Sequence, residues 1–221
     1  MYEWQPACEG WNTQHRFQLF YEYTDSPAAQ ISSDFSTFEG FDGKSINFSS
    51  RRKSDNILLD QYRGYAALNE DQSAAVTYSI PSDLSHDLPV GTLFPTQHTI
   101  QMVKAIQEGK KFFNATVFDG SDETGAVQVN SFIGAPAPAS TIQNSKDINA
   151  DLLQSAAYKL RLAFFPESRE EPTPEYEMDM LLHDNGVIRE MLIQYDDFSV
   201  RQTLKALKRV KGTCLEQHLN Q

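Results

Sequence analysis

Between His15 and Tyr23 the sequence HRFQLFYEY puts Phe17, Leu19, Tyr21 and Tyr23 on one side of an extended backbone and Arg16, Gln18 and Glu22 on the other, with Phe20 as the exception. A period of two predicts a strand. The alternation returns at Ile31, Ser33, Phe35 and Thr37, then at Ile46 and Phe48, and Phe41-Asp42-Gly43-Lys44 between them carries the Asp-Gly signal of a hairpin. Asn56 to Ala67 and Ala75 to Ile80 continue the series, with a polar turn at Asn69-Glu70-Asp71-Gln72 and a stop at Pro81. Further strands are predicted at Phe112 to Phe118, Ala126 to Ile133, Tyr158 to Phe164, Tyr176 to Leu182, Val187 to Tyr195, and from Phe198 to about Leu207. His183-Asp184-Asn185-Gly186 predicts a tight hairpin with a primed turn. Gly134 to Asn149, with two prolines and little periodicity, reads as a long loop.

One segment has a different period. After Pro95, the positions Thr99, Met102, Val103 and Ile106 recur at three- and four-residue spacing and the run closes at Gly109, which predicts a helix over about residues 96–108. About ten strands around one short helix, without helix-strand alternation, exclude doubly wound and (β/α) barrel folds. The expectation is a mainly β protein, a single domain over 1–221, in which a large antiparallel sheet curls to hide its apolar face and its edges, with the helix inside the curl.

Composition narrows the partners. The 221 residues are 40% hydrophobic, 11% aromatic and 22% charged, enough to bury a core. Thirty acidic against nineteen basic side chains leave a net charge of -11, so a nucleic acid is not an expected partner. No run approaches the roughly 20 apolar residues of a spanning helix, and no leader precedes the first polar residues, so the chain as given is expected to be soluble.

Candidate chemistry is sparse. No phosphate loop, HExxH, GxSxG or EF-hand series occurs. His15, His86, His98, His183 and His218 are isolated from one another. His98, on the predicted helix, is the best candidate base, but a helix histidine satisfied by a backbone carbonyl is the simpler reading. Asp119, Asp122 and Glu123 in the DGSDETG turn offer too few oxygens, too close in sequence, for calcium. Asp196 and Asp197 are adjacent, and neighbours in a strand face opposite ways. The aromatics Tyr21, Tyr23, Tyr62, Tyr65, Tyr158, Phe164, Phe165, Tyr176 and Tyr195 read either as core packing, the favoured reading, or as the lining of a ligand cavity. No metal and no cofactor are expected. Cys8 and Cys214 are the only cysteines and lie near opposite ends. They are either two separate reduced thiols or a staple that would require an oxidising compartment.

Three segments carry a family resemblance. Tyr2-Glu3-Trp4-Gln5-Pro6-Ala7-Cys8-Glu9-Gly10-Trp11 is the first, and Leu88-Pro89-Val90-Gly91-Thr92-Leu93-Phe94-Pro95-Thr96-Gln97-His98-Thr99, followed by Val117-Phe118-Asp119-Gly120-Ser121, is the second. The third joins Leu162-Ala163-Phe164-Phe165-Pro166, the Asn185-Gly186 hairpin, Asp197-Phe198-Ser199 and Cys214. Together they resemble the cell-envelope integrity EipB family of alphaproteobacterial periplasmic proteins. The resemblance implies a broken, spiral-like β-barrel with a helix inside, export to the periplasm and a disulfide that by position joins Cys8 to Cys214. It marks Gly91, Thr92, Leu93, Phe94, Pro95 and His98 as signature positions.

It also implies a noncatalytic protein that supports envelope integrity, read here as a monomer acting through an envelope protein partner. A carrier of lipid or another apolar ligand is the alternative, and an enzyme acting on envelope polymers is a weaker third. Family members carry a signal peptide and more β-structure before the first segment. This chain, opening at Met1-Tyr2, is therefore expected to be trimmed, with an open edge beside Tyr2 to Trp4.

Overall fold

A computed structural model of the chain describes residues 1–23, 26–71, 73–138, 142–166, 173–210 and 212, the side chains of 23, 26 and 27 excepted. The chain is mainly β, with thirteen described strands, one α-helix and one 3-10 turn. Its contacts group it into two compact units, one of residues 1–96, 118–125 and 211–221 and one of 97–117 and 126–210.

The first unit is a seven-stranded antiparallel meander in which sequence neighbours are sheet neighbours throughout. Its strands are β1 (Tyr2–Pro6), β2 (Gly10–Tyr23), β3 (Ser26–Gly40), β4 (Ser45–Ser54), β5 (Ile57–Leu68), β6 (Ala74–Ile80) and β7 (Ser85–Leu88). Alternation sets one face inward. Ile46, Phe48, Ala66, Val76 and Tyr78 are buried, together with Phe94 beyond β7 and Phe118 later in the chain. Phe48 is the hub, meeting Tyr78 and Phe118 edge to face at 5.2 and 5.5 Å between ring centroids. Gly120 takes φ +74, and a Cβ there would stand 2.4 Å from the Phe48 ring, so only glycine fits.

The second unit is a six-stranded antiparallel sheet in the order β13-β12-β11-β10-β9-β8. Its strands are β8 (Phe112–Val117), β9 (Val127–Pro136), β10 (Ala157–Pro166), β11 (Tyr176–His183), β12 (Ile188–Gln194) and β13 (Ser199–Thr203). Helix α1 (Pro95–Gln107) begins in the first unit and runs on into the second. There Met102, Ala105 and Ile106 pack with Val117, Val129, Ile133, Leu160, Leu162 and Leu182, so the helix covers the sheet's apolar face. The mainly β class, the antiparallel pairing and the single helix follow the pattern of the sequence. The strands divide between two sheets, and neither closes on itself among the described strands. No helix among the described residues is long and apolar enough to cross a membrane.

Several local expectations change. The loop predicted from Gly134 begins later, because β9 continues through Pro136, and 139–141 lie outside the described residues. The last strand is shorter than read, Ser199–Thr203, and Asp196-Asp197 sit in the bend before it. The hairpin at 183–187 is present, but its turn is a three-residue one. Gly186 N–H donates to the His183 carbonyl at 2.9 Å and Gly186 alone has positive φ, +86, a type I turn closed by a glycine bulge. The primed two-residue turn occurs instead at Asp55-Asn56, with φ +48 and +69, joining β4 to β5. The nine aromatics favoured as core are not in the buried set. Tyr65 and Tyr195 are exposed, and Phe164, Tyr176, Tyr195 and Phe198 form a stacked row on the second sheet, while the side chain of Tyr23 lies outside the described residues.

Candidate functional site

The signature segment is built from backbone upward. Pro89 to Thr92 is a turn in which Gly91 takes φ +84 and Thr92 N–H donates to the Pro89 carbonyl at 3.1 Å. The Thr92 hydroxyl donates to the same carbonyl at 2.7 Å, and its side chain is fully buried. Glycine at the third position of such a turn is required by the positive φ. A Cβ on Gly91 would meet nothing within 4 Å, so the demand is on the backbone alone. Leu93 offers its carbonyl to Phe118 N–H at 3.0 Å, which ties the segment to the residues just before Gly120. Phe94 is fully buried, and Pro95 occupies the first helical position, where its missing N–H costs nothing.

The helix start is then fixed by a residue far away in sequence. Glu39, at the end of β3 and 1% exposed, accepts from Thr96 N–H at 2.9 Å through both carboxylate oxygens, and from the Thr96 hydroxyl at 2.7 Å. A buried carboxylate is costly unless hydrogen-bonded, and the N-terminus of a helix supplies both open N–H donors and a favourable dipole. Glu39 therefore caps α1 from 57 residues upstream.

His98 follows two residues later. Its ring stacks on Phe113 at 5.6 Å, and Nε2 is buried without a hydrogen-bond partner among the described residues. The expected backbone carbonyl partner is absent at that nitrogen. Burial pulls the pKa down to about 4, so the ring stays neutral over most of the physiological range.

Of the other candidates, Asp119, Asp122 and His183 are engaged locally, the Nε2 atoms of His86 and His183 are buried without a hydrogen-bond partner among the described residues, and His218 lies outside those residues. Asp119 accepts from Ser121 N–H at 2.8 Å, and Asp122 accepts from Thr124 N–H at 2.7 Å, so these carboxylates shape their own loop. Burial pushes the Asp119 carboxyl up. His183 is buried with Nδ1 3.0 Å from the Ser155 carbonyl. No group of three or more His, Cys, Asp or Glu that could hold a metal gathers among the described residues. An open concavity of about 360 Å³ in the first unit runs over β2 to β5 between Asn12, Phe38 and Asn47 on one side and Gln14, Ser36, Ser49 and Arg63 on the other, and none of the nine aromatics lines it.

Cys8 sits in the turn between β1 and β2, and it is not a free thiol. Cys214 lies outside the described residues. Gly212, two residues before it, lies so close to Pro6 that a Cβ there would stand 2.8 Å from the proline ring.

Sequence reasoning missed Glu39 because its role depends on a partner 57 residues away. It also missed an exposed apolar hairpin tip, where Ile57, Leu58 and Leu59 stand in solvent and share one end of the first sheet with Phe20.

The profile of the EipB-like family matches residues 1–211. Over 202 residues the chain is 29% identical to a Brucella abortus (strain 2308) protein named cell envelope integrity protein EipB, covering 91% of this chain and 71% of that one. A solved structure from Brucella abortus, described as a beta-barrel-like protein of domain of unknown function DUF1849, superposes with a TM-score of 0.83 at 29% identity. That similarity covers 95% of this chain and 85% of the other.

Proposed function

Because this chain belongs to the EipB-like family, we propose that it is a noncatalytic periplasmic protein that keeps the cell envelope intact by binding an envelope protein partner. The envelope role rests on the name of its Brucella relative. The noncatalytic reading rests on the signature segment, whose polar groups serve a turn, a helix cap and a packed ring.

The observation that carries the protein partner is on the second sheet. Phe112 on the edge strand β8 and Phe132 opposite it on β9 are both exposed, with ring centroids 5.4 Å apart. An exposed aromatic pair beside a sheet edge suits a protein surface, which buries aromatic anchors and adds backbone hydrogen bonds along the edge. A photoreactive phenylalanine at 112, introduced in the protein's own host, is expected to crosslink to one recurrent envelope protein. Absence of any recurrent product, or full envelope resistance in a Phe112→Ala/Phe132→Ala double variant, would overturn the proposal. Copurifying lipid in native mass spectrometry would favour the carrier instead.

The same reading includes a Cys8–Cys214 disulfide. The approach of Gly212 to Pro6, two residues from Cys8, supports that pairing. Mass analysis after alkylation without reductant is expected to find the linked pair in periplasmic material, and free thiols there would refute it. Removing the bond should cost about 2 to 5 kcal/mol of stability.

A further inference from the structure

The β4–β5 hairpin departs from the rule that consecutive large apolar side chains are buried. Ile57, Leu58 and Leu59 are 71%, 50% and 53% exposed, and Phe20 near the end of β2 is 70% exposed. All four lie at one end of the first sheet. Phe20 pairs with Gln30, and Gln30 and Asp55 exchange backbone-centred hydrogen bonds of 3.0 and 2.9 Å. The pairing register tells which way they face. Gln18, Ser32, Lys53 and Leu58 form one row across four strands, so Leu58 shares a face with Lys53 and, two residues along β2, with Phe20. Ile57 pairs with Ser54 in the adjacent row and takes the opposite face. Leu59 is the extra residue where the register shifts between Arg52 and Lys53, a bulge that breaks the alternation at the tip.

The charges complete the picture. Arg16, Arg51, Arg52 and Lys53 gather at this end, with Asp34, Asp55, Asp60 and Glu22, in a chain whose net charge is -11. On the face of Phe20 and Leu58 the row Arg16–Asp34–Arg51 sets two guanidinium groups around one carboxylate, at 3.6 and 3.1 Å, and Lys53 makes no ion pair among the described residues. These pairs are half exposed or more, so they exchange readily for other anions.

We propose that this hairpin tip is a membrane-contacting finger that inserts Ile57, Leu58 and Leu59 into the interface of an anionic phospholipid bilayer, with Phe20 beside it and Lys53, Arg51 and Arg16 on the headgroups. The apolar side chains leave the tip on both faces, which an enveloping medium such as a bilayer interface covers at once. β6 pairs with β5 only from Arg63 onward and Leu59 stands outside the register, so the tip rests in the hydrated interface, where water completes its backbone hydrogen bonds, and does not enter the hydrocarbon. Apolar insertion and basic contacts are the two components of reversible interfacial binding.

Sedimentation of the full-length chain with vesicles of phosphatidylcholine and phosphatidylglycerol at about 3:1 tests this. The wild type is expected to cosediment, and the Ile57→Ser/Leu58→Ser/Leu59→Ser variant to lose at least about tenfold in partitioning with its circular dichroism unchanged. Lys53→Glu is expected to weaken binding about fivefold or more at low salt, with the difference shrinking as salt rises. In a Leu58→Trp variant the added fluorescence should shift to the blue on vesicles. Failure of the wild type to bind, equal binding by the triple variant, or no blue shift overturns the proposal. So does loss of self-association in the triple variant at unchanged vesicle binding, which would make a second copy the occupant.

Discussion

The segment from Pro89 to His98 and the tip from Lys53 to Leu59 are of similar length and opposite construction. In the first, the conspicuous residues are committed inside the molecule, with Val90, 71% exposed, as the exception. Gly91 makes a turn, Thr92 closes it, Phe94 fills the core, Pro95 opens the helix, Thr96 binds Glu39 and His98 packs on Phe113. In the second, three large apolar side chains are committed to nothing within the described fold. A motif that stands out in sequence is here a device of folding, while an ordinary-looking strand end carries the surface with unspent binding energy.

Four changes break or sharpen that contrast. The largest effect is expected from Phe94→Ala, which opens a cavity at a fully buried position and should cost about 4 kcal/mol, read as the shift in urea midpoint. Next is Glu39→Ala, which strands the Thr96 donors and should cost about 3 kcal/mol by the same measurement. Glu39→Gln, which keeps a hydrogen-bond acceptor and removes the charge, should recover part of that loss.

His98 gives the third, a pH dependence. Its folded pKa of about 4 lies below the unfolded value, so the unfolded chain takes up the proton first on acidification. Stability is complete above about pH 6.5 and falls as pH drops toward 4, by about 2 kcal/mol at pH 5 from this group alone. His98→Phe should remove that component, and chemical denaturation of both proteins at pH 7 and pH 5 checks it. The smallest stability effect belongs to the tip, where replacing Ile57, Leu58 and Leu59 by serine should move the urea midpoint by no more than about 0.5 kcal/mol equivalent. A large loss there would mean that the tip is packed, and the contrast would fail.

Legibility in sequence followed the reach of each interaction. The long strands and the helix were readable because their apolar periods act within a few residues. Two short strands were not. β1 has only five residues and ends in Pro6, and β7, Ser-His-Asp-Leu, buries only Leu88 and exists by pairing with β6. The signature segment could be picked out, but its purpose could not, because its partners Glu39 and Phe113 lie far along the chain or across a turn. Exposure at the hairpin tip was invisible to periodicity, since a run of adjacent apolar residues has the same pattern whether buried or bare.

Glu39 also bears on the order in which the molecule assembles. A meander of successive hairpins forms from local pairings, so β1 to β7 can zip up in turn as the chain emerges from its N-terminus. The carboxylate, however, reaches its final seat only when residue 96 arrives, and until then burying it is opposed by the loss of its water. Glu39 thus takes its final seat only after the helix start has been made, so this corner of the core is completed by a residue from well beyond the seven-stranded sheet's third strand.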